Sequence, residues 1–247
     1  MRSWSFRVAA TASLVTCACV GQSGMIGEIK KNYSDGVQVE VCGIVTASFS
    51  RSGCDPCTYI EDEDRAAGIK VYGFGGIEGI EYGLNGILRT DANGERCQDY
   101  VPVPIFGIAS EVPKPLSLNG RCVGGGGSNG QPCTWGSCGV NNTGLLVRIH
   151  GRVTSIDYLN ARFYICDGCC RRDGSGCKGI RVSYCDWPDG GPYMIPKPAK
   201  LGDPEGNGDY VVVTGICACV KIAGRVQPVI RLRWQTDIEW LYYGSGW

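Results

Sequence analysis

Residues 37–46 read VQVEVCGIVT, with Val37, Val39 and Val41 alternating against Gln38, Glu40 and Cys42. Alternation of period two places successive side chains on opposite faces, the signature of a half-buried β-strand. Residues 145–154, LLVRIHGRVT, repeat the pattern: Val147, Ile149 and Val153 fall on one face, and Arg148, His150 and Arg152 on the other. Each stretch carries a glycine (Gly43, Gly151) inside the pattern, which predicts a bulge or sharp bend of the kind a small barrel needs at its corners.

The match extends beyond one strand. TYIEDEDRAAGIKVY (58–72) has a counterpart in FYICDGCCRRDGSGCKGIRVSY (163–184), sharing the frames YI-x-D and GI-(K/R)-V around a longer second loop. LNGILRTDANGER (84–96) aligns more weakly with VTGICACVKIAGR (213–225). Three matches in the same order identify a duplicated domain. The expected organisation is a leader or extended arm over 1–20, a first β domain over 21–112, a Gly- and Cys-rich linker over 113–142, and a second β domain over 143–247 with an aromatic tail.

The combination V-x-G-x-V-T, (F/T)-Y-I-x-D and G-I-(K/R)-V resembles OB-fold-like modules of secreted bacterial proteins of uncertain role, over about 28–112 and 143–241. The resemblance implies an all-β fold of two tandem OB-like Greek-key barrels, an architecture that binds oligonucleotides or oligosaccharides in many proteins. One departure is the interval in which OB barrels usually carry a helix: FGGIEGIEYG in one copy and DWPDGGPYMIPKPAKLGDPEGNG in the other read as helix in neither. Greek-key β-sandwiches are the alternative.

Composition adds compartment and removes some partners. The chain has 247 residues, with 24 basic and 24 acidic side chains and one histidine, so no cationic surplus argues for nucleic acid. Gly is high at 38, as short strands and many turns require. The 16 cysteines, with MRSWSFR followed by the short apolar VAATASLVTCACV, point to an exported, disulfide-rich protein. Flanking Thr16 fits poorly with a lipid anchor at Cys17 or Cys19. No later segment reads as a transmembrane span.

The disulfide candidates are Cys42, Cys54, Cys57, Cys97, Cys122, Cys133, Cys138, Cys166, Cys169, Cys170, Cys177, Cys185, Cys217 and Cys219. CDPC and CDGCC have zinc-knuckle spacing, but the cysteine-free counterpart loop YIEDEDR shows that the scaffold needs no metal there, and no metal or cofactor is expected. The pentads TCACV and ICACV pair Cys17 and Cys19 with Cys217 and Cys219. They are an accident of a cleaved signal, or contacts of a retained arm that pairs with another subunit. Together with Trp240, Tyr243 and Trp247 of the tail, these cysteines form a candidate assembly set.

The run Glu61–Asp64 reads as a solvated turn. Arg148, His150, Arg152, Arg162 and Tyr164 form a candidate ligand face for a sugar or single strand. No nucleophile, base and orienting group can be assembled, so no enzyme is expected. The sequence therefore predicts a secreted or cell-surface structural protein that associates with itself or with other surface proteins through strand edges and disulfides. Oligosaccharide or single-stranded nucleic-acid binding is the alternative.

Overall fold

The computed structural model describes residues 22–49, 56–127, 130–184 and 210–241. In chain order the elements are β1 (Gln22–Gly24), α1 (Ile26–Asn32), β2 (Gln38–Phe49), β3 (Cys57–Glu61), β4 (Gly68–Tyr72), β5 (Ile80–Thr90), β6 (Arg96–Tyr100) and β7 (Gly107–Ala109). There follow β8 (Leu116–Ser117), β9 (Leu146–Asp157), β10 (Arg162–Cys166), β11 (Ile180–Ser183), β12 (Tyr210–Ile222), β13 (Arg225–Arg231) and β14 (Ile238–Leu241).

The first sheet runs β2-β3-β4-β6-β5 and closes where β5 meets β2 again, making a five-stranded barrel in which only the β4–β6 contact is parallel. The second sheet repeats the pairings as β9-β10-β11-β13-β12, with β12 meeting β9 and β11–β13 parallel. This cyclic order is OB-like and removes the sandwich alternative. β1 and β7 flank the first ring, and β8 and β14 the second.

Local chemistry explains why the two copies bend alike. The register between β2 and β3 shifts at Thr46, and that between β9 and β10 shifts at Thr154, three residues after the glycine in each copy. The Thr46 hydroxyl donates to the Tyr59 carbonyl at 3.4 Å, and the Thr154 hydroxyl to the Tyr164 carbonyl at 3.3 Å, so the same side chain occupies the bulge twice. The glycines have a different task from the bulge expected of them. A Cβ on Gly43 would lie 2.8 Å from the Glu61 carbonyl oxygen, and one on Gly151 would lie 2.8 Å from the Cys166 carbonyl carbon. They let the neighbouring strand cross close over β2 and β9.

Two apolar cores fill the rings. Val39, Val41, Ile60, Ile69, Leu84 and Leu88 line the first; Val147, Ile149, Ile165, Val182, Val213 and Ile230 line the second. The short helix α1, which the sequence reading did not anticipate, plugs the first core with Ile26 and Ile29. No helix stands between β4 and β5, as expected; residues 185–209 of the second copy lie outside the described residues.

A third cluster joins the barrels: Ala47, Phe49, Cys57 and Tyr59 from the first pack with Leu146, Ile216, Ala218 and Val229 from the second. At its margin Gly68 and Gly144 bring backbone onto backbone, a Cβ on Gly68 falling 2.4 Å from the Gly144 carbonyl oxygen. The contact is also strongly polar. Buried Glu61 accepts the Leu146 N–H through Oε1, and Glu95 Oε2 accepts from Lys70 Nζ (3.1 Å), Tyr59 Oη (3.3 Å) and the Cys219 N–H (3.4 Å). Arg231 lies over the Phe49 ring at 4.1 Å and donates to Tyr59 Oη at 3.1 Å.

The segment 113–142 is packed rather than tethering. Gln131 accepts the Arg96 N–H at 2.8 Å and donates to the Gly94 carbonyl, while Asn142 bridges Gly124 and Cys122. Hydrogen bonds hold this loop in place. Cys42, Cys57, Cys97, Cys122, Cys133, Cys138, Cys166, Cys169, Cys170, Cys177, Cys217 and Cys219 are all free, with no sulfur pair at bonding distance among the described residues. Cys97 and Cys217 are core side chains on strands, and burial pushes both thiols up to about 12. Cys17, Cys19, Cys54 and Cys185 lie outside the described residues.

Burial also raises the Glu61 carboxyl, from 4.5 to about 7, against the opposing bonds from Leu146 and Thr46. With the folded-state value above the unfolded one, the Glu61 contribution to stability is whole below about pH 4.5 and is lost as the pH rises through about 7. The loss is on the order of 3 kcal/mol. Glu61→Gln keeps the acceptor for Leu146 and removes the charge, so it is expected to raise Tm at pH 8 by several degrees and to leave it nearly unchanged at pH 4; thermal scans at both pH values check this. Lys70→Met, which strands Glu95 without its ammonium, is expected to cost about 3–5 kcal/mol in urea unfolding.

Candidate functional site

The strand register superimposes the two copies residue by residue and shows which outer faces are open. Tyr59 faces Lys70 across β3 and β4, and Tyr164 faces Arg181 across β10 and β11, each cation lying over its ring at 5.7 and 5.6 Å. These are the Tyr and Lys/Arg positions of the repeated frames. On an OB-like barrel this strand face is the general region that receives ligands. Here it is covered twice. Tyr59 is 0 % exposed beneath Arg231, and Tyr164 is 1 % exposed while Arg181 is tied to Asp173 at 2.7 Å. In the first copy burial would depress the Lys70 ammonium, but the facing Glu95 outweighs it and holds Lys70 well above its usual value.

The open face lies on the other side of each ring, along the first strand and its partner. In the second barrel Arg148, His150 and Arg152 project from β9, with Tyr210, Val212 and Thr214 opposite them on β12. Arg148 Nη2 donates to both carboxylate oxygens of Glu239, at 2.8 and 2.7 Å, and Arg152 lies over the Tyr210 ring at 5.4 Å. The structure thus brings three of the five expected ligand residues together. Arg162 stands apart, paired with Asp157 at the far end of β10, and Tyr164 is enclosed. Of the expected assembly residues, Trp240 packs against the second core, Cys217 and Cys219 are buried, and Tyr243 and Trp247 lie outside the described residues.

The matching face of the first barrel is acidic. Glu40 stands where Arg148 does, Cys42 where His150 does, Ile44 where Arg152 does, and Glu81 where Tyr210 does. Asp62, Glu63 and Asp64 continue this acidic surface from the turn after β3, around a cavity of about 670 Å³. The cavity walls include Met25, Cys42, Ile44 and Glu81. Burial, with Glu40 and Glu81 adding to it, pushes the Cys42 thiol up, so the local field is negative.

The acidic run is therefore only half a solvated turn. Glu63 and Asp64 are exposed, whereas Glu61 and Asp62 are enclosed. The missed signal lay in the strand register: YI-x-D places Asp62 at the end of β3, under α1, where its Oδ1 accepts the Ile26 N–H at 3.1 Å. Among the described residues no group of three or more His, Cys, Asp or Glu side chains is placed to hold a metal ion, and no helix is long and apolar enough to cross a membrane. No protein-family model and no curated protein matches the chain.

Proposed function

We propose that the protein is a non-catalytic, exported structural subunit that associates head to tail with copies of itself. The observation that carries this reading is the contrast of two equivalent faces: Glu40, Glu81, Asp62, Glu63 and Asp64 on the first barrel, and Arg152 with the Glu239-paired Arg148 on the second. A face on one copy that complements a different face on the next makes a heterologous contact, which propagates into a chain unless the rotation closes it. Covering of the Tyr59 and Tyr164 strand faces supports an assembly role over ligand capture there. The many cysteines and the leader-like 1–20 support export.

Sedimentation velocity tests the reading directly. Oligomers are expected at low ionic strength and are expected to dissociate near 1 M salt, where the Debye length shrinks to about 3 Å. Arg148→Glu with Arg152→Glu, and separately Glu40→Arg with Glu81→Arg, should each stay monomeric. Mixed together, the two variants should co-assemble, because the two acidic faces of one then meet the two basic faces of the other. A wild type that is monomeric throughout, a charge-reversed variant that associates alone like wild type, or a mixture that stays monomeric defeats the proposal.

For disulfides the geometry favours Cys122 and Cys138, whose side chains touch, with the Cys138 N–H donating to the Arg121 carbonyl at 3.0 Å. In the oxidised, exported protein a Cys122–Cys138 crosslink is expected in non-reducing peptide maps.

One observation favours a second reading, an anionic oligosaccharide or single-stranded oligonucleotide on the β9 face. Arg152 stacked on Tyr210 beside His150 is a cation–aromatic platform of the kind that holds bases and sugars. A salt-dependent anisotropy change with labelled oligothymidine, abolished by Arg148→Ala with Arg152→Ala, would establish it in place of assembly.

A further inference from the structure

We infer that the cavity between β1, β2, β5 and the turn after β3 is a binding site for an alkyl ammonium or guanidinium group. Asp62 carries the argument. It is 7 % exposed, it lines the cavity of about 670 Å³, and its Oδ2 has no hydrogen-bond partner although Oδ1 is satisfied by Ile26. A buried carboxylate oxygen without a donor is a standing demand for one. The nearest buried cation does not meet it, because Lys30 directs its Nζ to the Gly68 carbonyl at 2.9 Å.

The surroundings specify the donor. Glu63, Asp64 and Glu81 line the same cavity, so its occupant is positive. The carboxylates are not grouped closely enough for a bare metal ion, as no group of three or more such side chains among the described residues is placed to hold one. The cation must therefore bring its own N–H donors and some length. Met25, Gly24 and Ile44 provide an apolar wall against which methylenes can lie while the head reaches Asp62. The second copy shows what a satisfied version looks like: Asp167, at the position of Asp62, takes the Gly120 N–H at 2.6 Å on Oδ2 and the Cys169 N–H at 3.0 Å on Oδ1. In the first copy the Ile26 and Gly27 N–H groups at the start of α1 both face the Asp62 carboxylate, and Oδ2 still closes no hydrogen bond.

Two sources offer this chemistry, a free aliphatic amine and an Arg or Lys side chain of a neighbouring copy. Only the second rests on the assembly reading above. Isothermal titration of the full chain with 1,5-diaminopentane and with ethylguanidinium tests the site, with pentan-1-ol and calcium chloride as controls. Saturable binding of at least one cation is expected, with none for the alcohol. Asp62→Asn, which keeps the acceptor for Ile26, and Glu81→Gln, on a partly exposed strand position, are each expected to weaken it about tenfold.

The Arg148→Glu, Arg152→Glu variant should bind the amine as wild type does, which separates failure of the site from failure of the assembly. Saturating amine that disperses wild-type oligomers in sedimentation assigns the site to a neighbour's side chain; oligomers that persist assign it to a free amine. No saturable binding, wild-type affinity in both Asp62→Asn and Glu81→Gln, or binding of calcium alone overturns the inference.

Discussion

Two carboxylates of the first barrel take backbone N–H groups of the second, and the whole molecule is arranged around that exchange. Glu61 accepts from Leu146 and Glu95 from Cys219, both in surroundings stripped of water. An enclosed carboxylate without donors is strongly unfavourable, so neither acid tolerates separation of the barrels. The apolar cluster of Phe49, Tyr59, Ile216 and Val229 supplies attraction without direction, whereas the carboxylates and the Gly68–Gly144 contact set the angle at which the barrels meet. That angle decides which strand faces are covered and which remain open.

Much of this was legible in the chain. The alternation of Val37, Val39 and Val41, the repeat LLVRIHGRVT and the frames around Tyr59 and Tyr164 carried the strands, their duplication and the barrel class, because side-chain period and turn chemistry are local properties. What escaped depends on distant neighbours. Glu61 and Asp62 look like a charged turn until Leu146 and α1 are seen to enclose them. Cysteine count suggested staples, yet Cys97 and Cys217 serve as small apolar side chains on core-facing strands. Helix α1 had a faint signal, Ile26 and Ile29 one turn apart with Glu28 early and Lys30 and Lys31 late, too short to stand out from its surroundings. The Arg148, His150, Arg152 face was found from alternation alone; its acidic counterpart appeared only when the register aligned Glu40 with Arg148.

The two copies share bulge, glycine and Tyr–cation pair while differing at almost every outward position. The scaffold residues answer to the closure of a five-stranded ring, which both copies must achieve. The outward positions answer to nothing inside the barrel, and there Glu40, Cys42 and Ile44 of one copy stand where Arg148, His150 and Arg152 of the other do. Duplication thus yields two platforms of one geometry whose surfaces are free to become unlike.

The long reach of the interface bonds sets a timetable for the growing chain. Glu61 waits 85 residues for Leu146, and Glu95 waits 124 residues for Cys219. At about 5–20 residues per second, synthesis leaves Glu95 without that partner for roughly 6 to 25 s. During that interval the first barrel carries an uncovered patch of Phe49, Tyr59 and charged groups, a surface suited to a chaperone and poorly suited to early release. The C-terminal half therefore covers that patch and brings Glu95 its last donor.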